Sequence, residues 1–391
     1  MSGTSLDGID VAIAEISGYS KNTKISLIGA DTLEIPTKIK QKIINASNIE
    51  TSNVQLITSL HYELGELFGE AVIKTSNKFN IPLDKIDFIA SHGQTIWHQP
   101  YIEKDIVKST LQIGEGAVIA AKTKTTVISN FRAADIAAGG EGAPLVSYVD
   151  DLLFRKNNEN VALHNLGGIS NLTLLHKDGL LAYDTGPANM MINYAVKKLY
   201  NLNYDNQGKI AKSGQNITEL YNEVMNINYF NKKYPKSTGR ELFGEQYTNY
   251  LINKYINNKK EDLVHTFTKI TIDSIVNEYK KLIVEFGKID EIIFSGGGVF
   301  NTYLIDEINK KLPNVTISTL EKYGMSSEFK EALAFIILGN ETLNKIPSNK
   351  RAATGAKRNA ILGQINYYGE WKKWNYIIIK IQKNHYVIMK L

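Results

Sequence analysis

From Val11 the residues VAIAEI alternate between apolar and polar, a polar turn follows over residues 18–22, and KISLIGADTLEI alternates again. A period of two predicts two adjoining strands of an antiparallel meander. Residues 54–79 then place apolar side chains at helical spacing, and IDFIASHGQT reads as a buried strand ending in a polar loop. Short apolar strands recur in TTVISNF, NVALHNLGG, NLTLLHKDGLLAYD, with Lys-Asp-Gly as its turn, and IDEIIFSGGGVFN. Helical periodicity marks residues 189–200, 217–225, 244–257, 262–286, 302–311 and 327–339. Strand runs followed by strand–helix alternation, twice over, predict an α/β protein of two lobes with mixed sheets. The Gly/Ala-rich stretch RAADIAAGGEGAP places a hinge between them within residues 131–144. No internal repeat or low-complexity linker interrupts the pattern.

Composition narrows the function classes. A chain of 391 residues with 43% apolar content has room for two ordinary globular lobes. The absence of cysteine excludes disulfides, zinc-thiolate sites and thiol catalysis, and fits a reducing cytoplasm. The first residues have neither the basic start nor the apolar run of a signal peptide. No stretch approaches the roughly 20 apolar residues of a membrane span. The net charge of +5 suggests nucleic acid until it is located: residues 371–391 carry five lysines and no acid, so the rest of the chain is neutral. A neutral body lacks the basic face that phosphate-backbone binding requires.

Several short stretches carry candidate chemistry. SGTSLDG, at residues 2–8, has the composition of a connecting turn, and equally of a turn whose backbone N–H groups hold phosphate oxygens. In NLGGISN, Gly167 and Gly168 follow a strand and read as a tight bend or as a second close approach of backbone to phosphate. In FSGGGVFN, Gly296, Gly297 and Gly298 stand between a buried strand and a helix, which is more glycine than a simple turn needs. Asp184, in AYDTGPANM, follows a strand and precedes a Gly-Pro turn. It reads as a general base facing a cleft, or as a turn or helix-capping residue.

His92 and His98 lie six residues apart with no acid nearby and read as hydrogen-bonding side chains rather than metal ligands. Arg132 and Asp135 suggest a salt bridge across the hinge, and Arg132 also suits an anionic substrate. Glu331 opens an apolar-faced helix, where a solvated, helix-dipole role is the default. The order of these features decides more than any one of them. A phosphate-turn candidate, a glycine pair after a strand, a strand-end aspartate and a triple-glycine junction follow in the order used by the actin-like, heat-shock-ATPase and sugar-kinase superfamily to wrap ATP between two lobes.

The blocks MSGTSLDGID, SHGQTIWHQP, LQIGEGAVIA, NFRAADIAAGGEGAPLV, NLGGISNLTLL, DTGPANMMIN, KSTGRELF, GGGVFN and EALAF, in this order over residues 1–363, resemble the signature of the 1,6-anhydro-N-acetylmuramic acid kinase family. The resemblance implies two actin-like (ribonuclease H-like) lobes flanked by helices, with ATP in the cleft. Lobe I would comprise residues 1–132 and about 345–370, and lobe II residues 133–344. It also implies a bacterial, cytoplasmic enzyme of cell-wall recycling that converts the anhydro sugar, ATP and water into N-acetylmuramic acid 6-phosphate and ADP.

By resemblance Asp184 is the base that polarises water. Gly3, Thr4, Ser5, Leu6, Asp7 and Gly8 would surround the β- and γ-phosphates, with Asp7 a second-sphere partner of Mg²⁺. Gly167, Gly168, Gly296, Gly297 and Gly298 would line the nucleotide. Thr95, Arg132 and Glu331 match sugar-contacting positions, with Arg132 facing the lactyl carboxylate. The implied partners are the sugar and ATP, without nucleic acid or a membrane span, and a homodimer is left open.

Two departures from the family pattern accompany the match. Relatives carry an apolar strand ahead of the Met-Ser-Gly turn that this sequence does not include; it is either lost or encoded upstream of Met1, and a true loss would weaken ATP binding and folding. Residues 371–391 have no counterpart; they read as functionless read-through, or as an edge strand or membrane-surface contact. The alternatives to the leading function are therefore a nucleotide-binding remnant without turnover and an ordinary amino-sugar 6-kinase.

Overall fold

The computed structural model describes residue 6 and residues 8–103, 105–234 and 236–369. The alternating start of the chain forms an antiparallel hairpin of β1 (Ile9–Ser17) and β2 (Lys24–Leu33). Helices α1 (Thr37–Ala46) and α2 (Val54–Lys78) follow, the second capped by the Asn53 side chain accepting from Leu56 N. The single strand expected over IDFIASHGQT is two, β3 (Ile89–Ala90) and β4 (Gln94–Gln99). The chain turns between them at Gly93, whose φ of 78° is one that glycine adopts without strain. β4 pairs with β5 (Ser109–Ile113), and α3 (Gly116–Thr123) leads to β6 (Val127–Ser129), which runs parallel to β3. The expected hinge region begins with α4 (Phe131–Ala137) and continues to α5 (Val146–Phe154).

The second lobe is built on β7 (Val161–Leu166), β8 (Ile169–His176) and β9 (Gly179–Pro187), an antiparallel meander. Helices α6 (Asn189–Tyr200), α7 (Lys209–Ser213), α8 (Thr218–Met225), α9 (Arg240–Phe243), α10 (Glu245–Lys254) and α11 (Lys260–Phe286) follow. The chain then adds β10 (Glu291–Ser295), α12 (Thr302–Lys311) and β11 (Thr316–Thr319). Strand order is β11-β10-β7-β8-β9, with β10 parallel to both β7 and β11. Counted within the lobe, this is 3-2-1-4-5 read from the β9 edge, the ribonuclease H-like arrangement.

Helix α11 is buried around much of its circumference, from Leu263 and Phe267 to Ile275 and Tyr279. Its interior hydroxyls find carbonyl acceptors, Thr266 Oγ1 at Asp262 O at 2.7 Å and Thr268 Oγ1 at Val264 O at 2.9 Å within the helix, and Thr271 Oγ1 at Ala188 O at 3.0 Å outside it. Burying them therefore leaves no donor unmet.

The chain returns through α13 (Lys330–Leu343), α14 (Arg351–Thr354) and β12 (Gln364–Asn366), and β12 pairs with β6. Phe335 and Leu338 of α13 share a cluster with Ile128, Phe131, Val149 and Leu362. Leu333 on the same helix packs with Val161, Leu163 and Ile293 of the second sheet. One helix thus contacts both lobes. A groove of about 630 Å³ opens between β1 and β3, lined by Ile9, Val11, Ile89, Phe68, Phe335 and Ile336 among others. Among the described residues no helix is long and apolar enough to cross a membrane.

Residues 135–142, in the stretch expected to be the hinge, and residues 349–354 meet at Asp135, whose side chain is fully buried. Its Oδ1 accepts from Asn349 Nδ2 at 2.9 Å and Thr354 Oγ1 at 2.8 Å, and its Oδ2 from Gly142 N at 2.8 Å. The salt bridge to Arg132 suggested by the sequence is absent among these contacts, because three uncharged donors from these segments already occupy the carboxylate. Asp135→Ala leaves those donors buried and unmet. We expect it to cost roughly 3 kcal/mol or more in chemical denaturation, against less than half of that for an exposed Asp→Ala control.

Candidate active site

In the second lobe the parallel register pairs Phe294 with His164 and Ser295 with Asn165, so β7 and β10 end side by side. Their following turns carry Gly167, Gly168, Gly296, Gly297 and Gly298, which the fold brings to one edge. Gly296 has φ 81°, and a Cβ there would lie 2.6 Å from Asn165 Oδ1. A Cβ on Gly298 would lie 2.5 Å from Leu166 Cβ. These two glycines are thus required by the approach of one turn to the other. Gly297 differs, with nothing within 4 Å of the position its Cβ would take. Asn189, at the start of α6, ties the arrangement together by donating to Leu166 O at 2.9 Å and Gly167 O at 3.0 Å.

Asp184 lies on the same edge. It sits within β9, where the sequence put it after the strand's end, because pairing continues to Pro187 opposite Ile169. The register shifts so that Asn171 faces Asp184 and Ser170 faces Gly186, which makes Thr185 the extra residue of a bulge. Bulges re-aim neighbouring side chains. Behind this bulge Thr185 Oγ1 bonds to Ser170 Oγ at 2.6 Å, Ser170 Oγ to His164 Nε2 at 2.6 Å, and His164 Nδ1 to Tyr279 Oη at 2.8 Å. Burial pushes the His164 pKa down to about 3, so the ring is neutral and serves as a cross-sheet connector.

Among the described residues the Asp184 carboxylate accepts one hydrogen bond, from Thr238 N to Oδ2 at 2.9 Å. Burial raises its pKa, the Thr238 N–H opposes that shift, and the negative charge of Glu241 adds to it. A carboxylate held above its ordinary range is a stronger base than a solvated one. Its backbone is fixed from two sides: Asp184 N donates to Lys236 O at 3.1 Å, and Tyr229 Oη donates to Asp184 O at 2.7 Å.

A second group forms around Arg132. Arg132, on α4, donates from Nε to His92 Nε2 at 3.0 Å and from Nη1 to Gly142 O at 2.7 Å. His92 donates from Nδ1 to Gly93 O at 2.9 Å, which leaves Nε2 as the acceptor Arg132 needs. Burial and then the Arg132 charge push the His92 pKa down to about 3, so His92 orients the guanidinium as a neutral ring. Burial lowers the Arg132 pKa, while Glu331, in the first turn of α13, favours its charge. Thr95, on β4, accepts from Gln112 Nε2 at 3.2 Å.

Among the described residues no hydrogen bond or ion pair joins this group to Asp184. Gly3, Thr4, Ser5 and Asp7 lie outside the described residues, as do residues 371–391. Leu6 packs against the first-lobe core, and Gly8 sits where a Cβ would meet Thr32 Cγ2 at 2.4 Å.

Sequence reasoning missed Thr238, Tyr229, Lys236 and Glu241 around Asp184, and Asn189 as an orienting group; His92 is the hydrogen-bonding side chain the sequence suggested, with Arg132 as the partner it did not name. KSTGRELF stood out as a block, yet nothing in its pattern said that its backbone would reach a strand some 50 residues earlier.

A family model described as anhydro-N-acetylmuramic acid kinase matches residues 1–368. An anhydro-N-acetylmuramic acid kinase of Francisella tularensis subsp. novicida is 50% identical over 372 residues, covering 94% of this chain and 97% of that relative. One of Clostridioides difficile is 49% identical, covering 93% and 96% respectively. One of Bacillus cereus (strain G9842) is 48% identical, covering 94% and 98%.

Because nothing lies within 4 Å of the position its Cβ would take, Gly297 offers a test of the expected nucleotide contact apart from folding. Gly297→Val enters open space, so its stability should stay within about 0.5 kcal/mol of the parent. It should nevertheless weaken binding of a fluorescent ATP analogue by at least about tenfold, since backbone that contacts phosphate admits no side chain.

Proposed function

The chain belongs to the anhydro-N-acetylmuramic acid kinase family, and from that premise we propose how its residues open the 1,6-anhydro bridge of 1,6-anhydro-N-acetylmuramic acid and phosphorylate O6 with ATP. Water adds at C1, the C1–O6 bond breaks, and O6 takes the γ-phosphoryl group, giving N-acetylmuramic acid 6-phosphate and ADP. A hydrolase that inverts at the anomeric carbon needs a base for water and an acid for the leaving oxygen. Here the phosphoryl group captures the leaving oxygen as its charge develops, so one carboxylate suffices. The observation that carries this reading is Asp184 itself: a half-buried carboxylate with raised proton affinity at a bulge, on the edge that also holds five glycines.

Asp184 takes the proton of the attacking water. The turns of Gly167, Gly168, Gly296, Gly297 and Gly298 receive ATP, whose backbone-facing phosphates need the space that Gly297 leaves open. By its sequence, the stretch at residues 3–8 is the segment that would take the β- and γ-phosphates. Arg132, Glu331 and Thr95 hold the sugar, with Arg132 opposite its lactyl carboxylate. The described residues contain no cluster of three acidic or imidazole groups fit for a metal. In this reading Mg²⁺ would be held mainly by phosphate and water, with Asp7 the residue that would stand in its second sphere. When bound, Mg²⁺ neutralises phosphate charge during transfer. A cytoplasmic site of action follows from the dependence on ATP.

In ¹⁸O-water, product collected before anomeric exchange should carry label at C1. Unlabelled product would mean attack by a free 6-hydroxyl and would overturn ring opening. An absence of ADP release with the anhydro sugar would favour a binding remnant. Asp184→Asn should lower kcat by about 10²–10⁴-fold while ATP affinity changes by less than about twofold. Because the base must be unprotonated, kcat should fall as pH drops through an acid limb lying above the ordinary aspartate value of about 4. A limb at or below that value would contradict the raised proton affinity.

A further inference from the structure

The KSTGRELF block has no assigned work in the reaction, yet it holds a buried cation. The Lys236 side chain is 2% exposed and its Nζ lies 2.9 Å from Glu278 Oε1 on α11, itself 6% exposed. Nζ also faces the rings of Tyr229 at 5.1 Å and Tyr183 at 5.8 Å from their centroids. Glu278 is satisfied further by Tyr183 Oη at 3.1 Å and Lys281 Nζ at 2.8 Å. A buried charge pair of this kind seldom adds net stability over an apolar pair, so its use is sought in the geometry it imposes.

That geometry leads to Asp184. Lys236 O accepts from Asp184 N, and two residues later Thr238 N donates to Asp184 Oδ2. The strap at residues 236–239 therefore grips the aspartate by backbone and by carboxylate, and the Lys236–Glu278 pair is the fastening that sets its height above α11. Tyr229, which faces the same ammonium, donates to Asp184 O. Among the described residues no hydrogen bond reaches Oδ1, so the grip leaves one carboxylate oxygen available.

We infer that Lys236 is a positioning residue for the reaction: paired with Glu278, it holds the strap so that Thr238 N–H fixes Asp184 Oδ2 and turns Oδ1 toward the attacking water. This rests on the reading of Asp184 as the base. The groups facing Asp184 are the Thr238 N–H on the strap, Tyr229 and, on α9, Glu241. Loosening the strap removes the N–H that favours the ionised form, so the carboxylate holds its proton more tightly.

The test uses Lys236→Met/Glu278→Gln, which leaves no unpaired charge inside and keeps an acceptor for Tyr183, beside Lys236→Met and Asp184→Asn. The double variant should fold with a Tm near that of the parent. Its kcat should fall roughly 10- to 100-fold, as misplacement of a reacting group by about an ångström does. KM for ATP should stay within about twofold and the acid limb of kcat should move to higher pH, which a purely structural lysine would not cause. If the double variant folds and keeps the parent's kcat and acid limb while Asp184→Asn is inactive, the positioning role is refuted and the base stands. If Asp184→Asn keeps parental turnover, both fall.

Discussion

The parallel pairing of β7 with β10 sets the terms for everything around it. Two strands running the same way end at the same edge, and in an open α/β sheet that edge is where ligands bind. Register places Ser295 beside Asn165, so the turns after each strand compete for one volume. Only glycine at 296 and 298 lets both fit. The antiparallel return of β9 then delivers Asp184 to the same edge, and the bulge at Thr185 tips it out of the regular pleat. Backbone pairing is what collects glycines about 130 residues apart in sequence with an acid between them.

Around that edge, polar groups are buried in pairs and chains that specify positions. His164 links β7, through Ser170 and Thr185, to the bulge, and through Tyr279 to α11. His92 does a comparable service for Arg132 on the other lobe. Asp135 binds residues 135–142 and 349–354 to each other. Each such group is costly to leave unpaired in a low-dielectric interior, so each fixes its neighbours. The lobes differ in how they hold their candidate residues: Asp184 is gripped mainly by backbone, and Arg132 by a ring and a carbonyl.

Much of this was legible in the order of residues. The helices over Asn189–Tyr200 and Thr302–Lys311 begin and end where periodicity put them, because amphipathic spacing and flanking turns agree there. The hairpin of β8 and β9 followed from Lys-Asp-Gly, and the glycine turns stood out by composition alone. What escaped had weaker local signals. Helix α3 is short and apolar over its first six residues, with Lys122 and Thr123 only at its end, so it is too brief to reveal a period. The break at Gly93 lies inside an otherwise strand-like run. The uses of His92 and Asp135 depend on partners 40 and more than 200 residues away, and no spacing rule reaches that far. The grip of Thr238 on Asp184 is a main-chain contact, invisible to side-chain chemistry.

Helix α11 has a consequence for how the second lobe fluctuates. Its flanks contact β9, α6, α7, α8 and α12; its buried Thr266 and Thr268 turn their hydroxyls back onto its own carbonyls, and Thr271 donates to Ala188 O. Opening any turn of it would expose apolar surface on several sides at once and strand the Glu278 carboxylate. Regions with such dense burial open only when the whole cooperative unit does, so its amide protons belong among the slowest in the chain to exchange with solvent. The floor beneath Asp184 is accordingly the last part of the lobe to breathe.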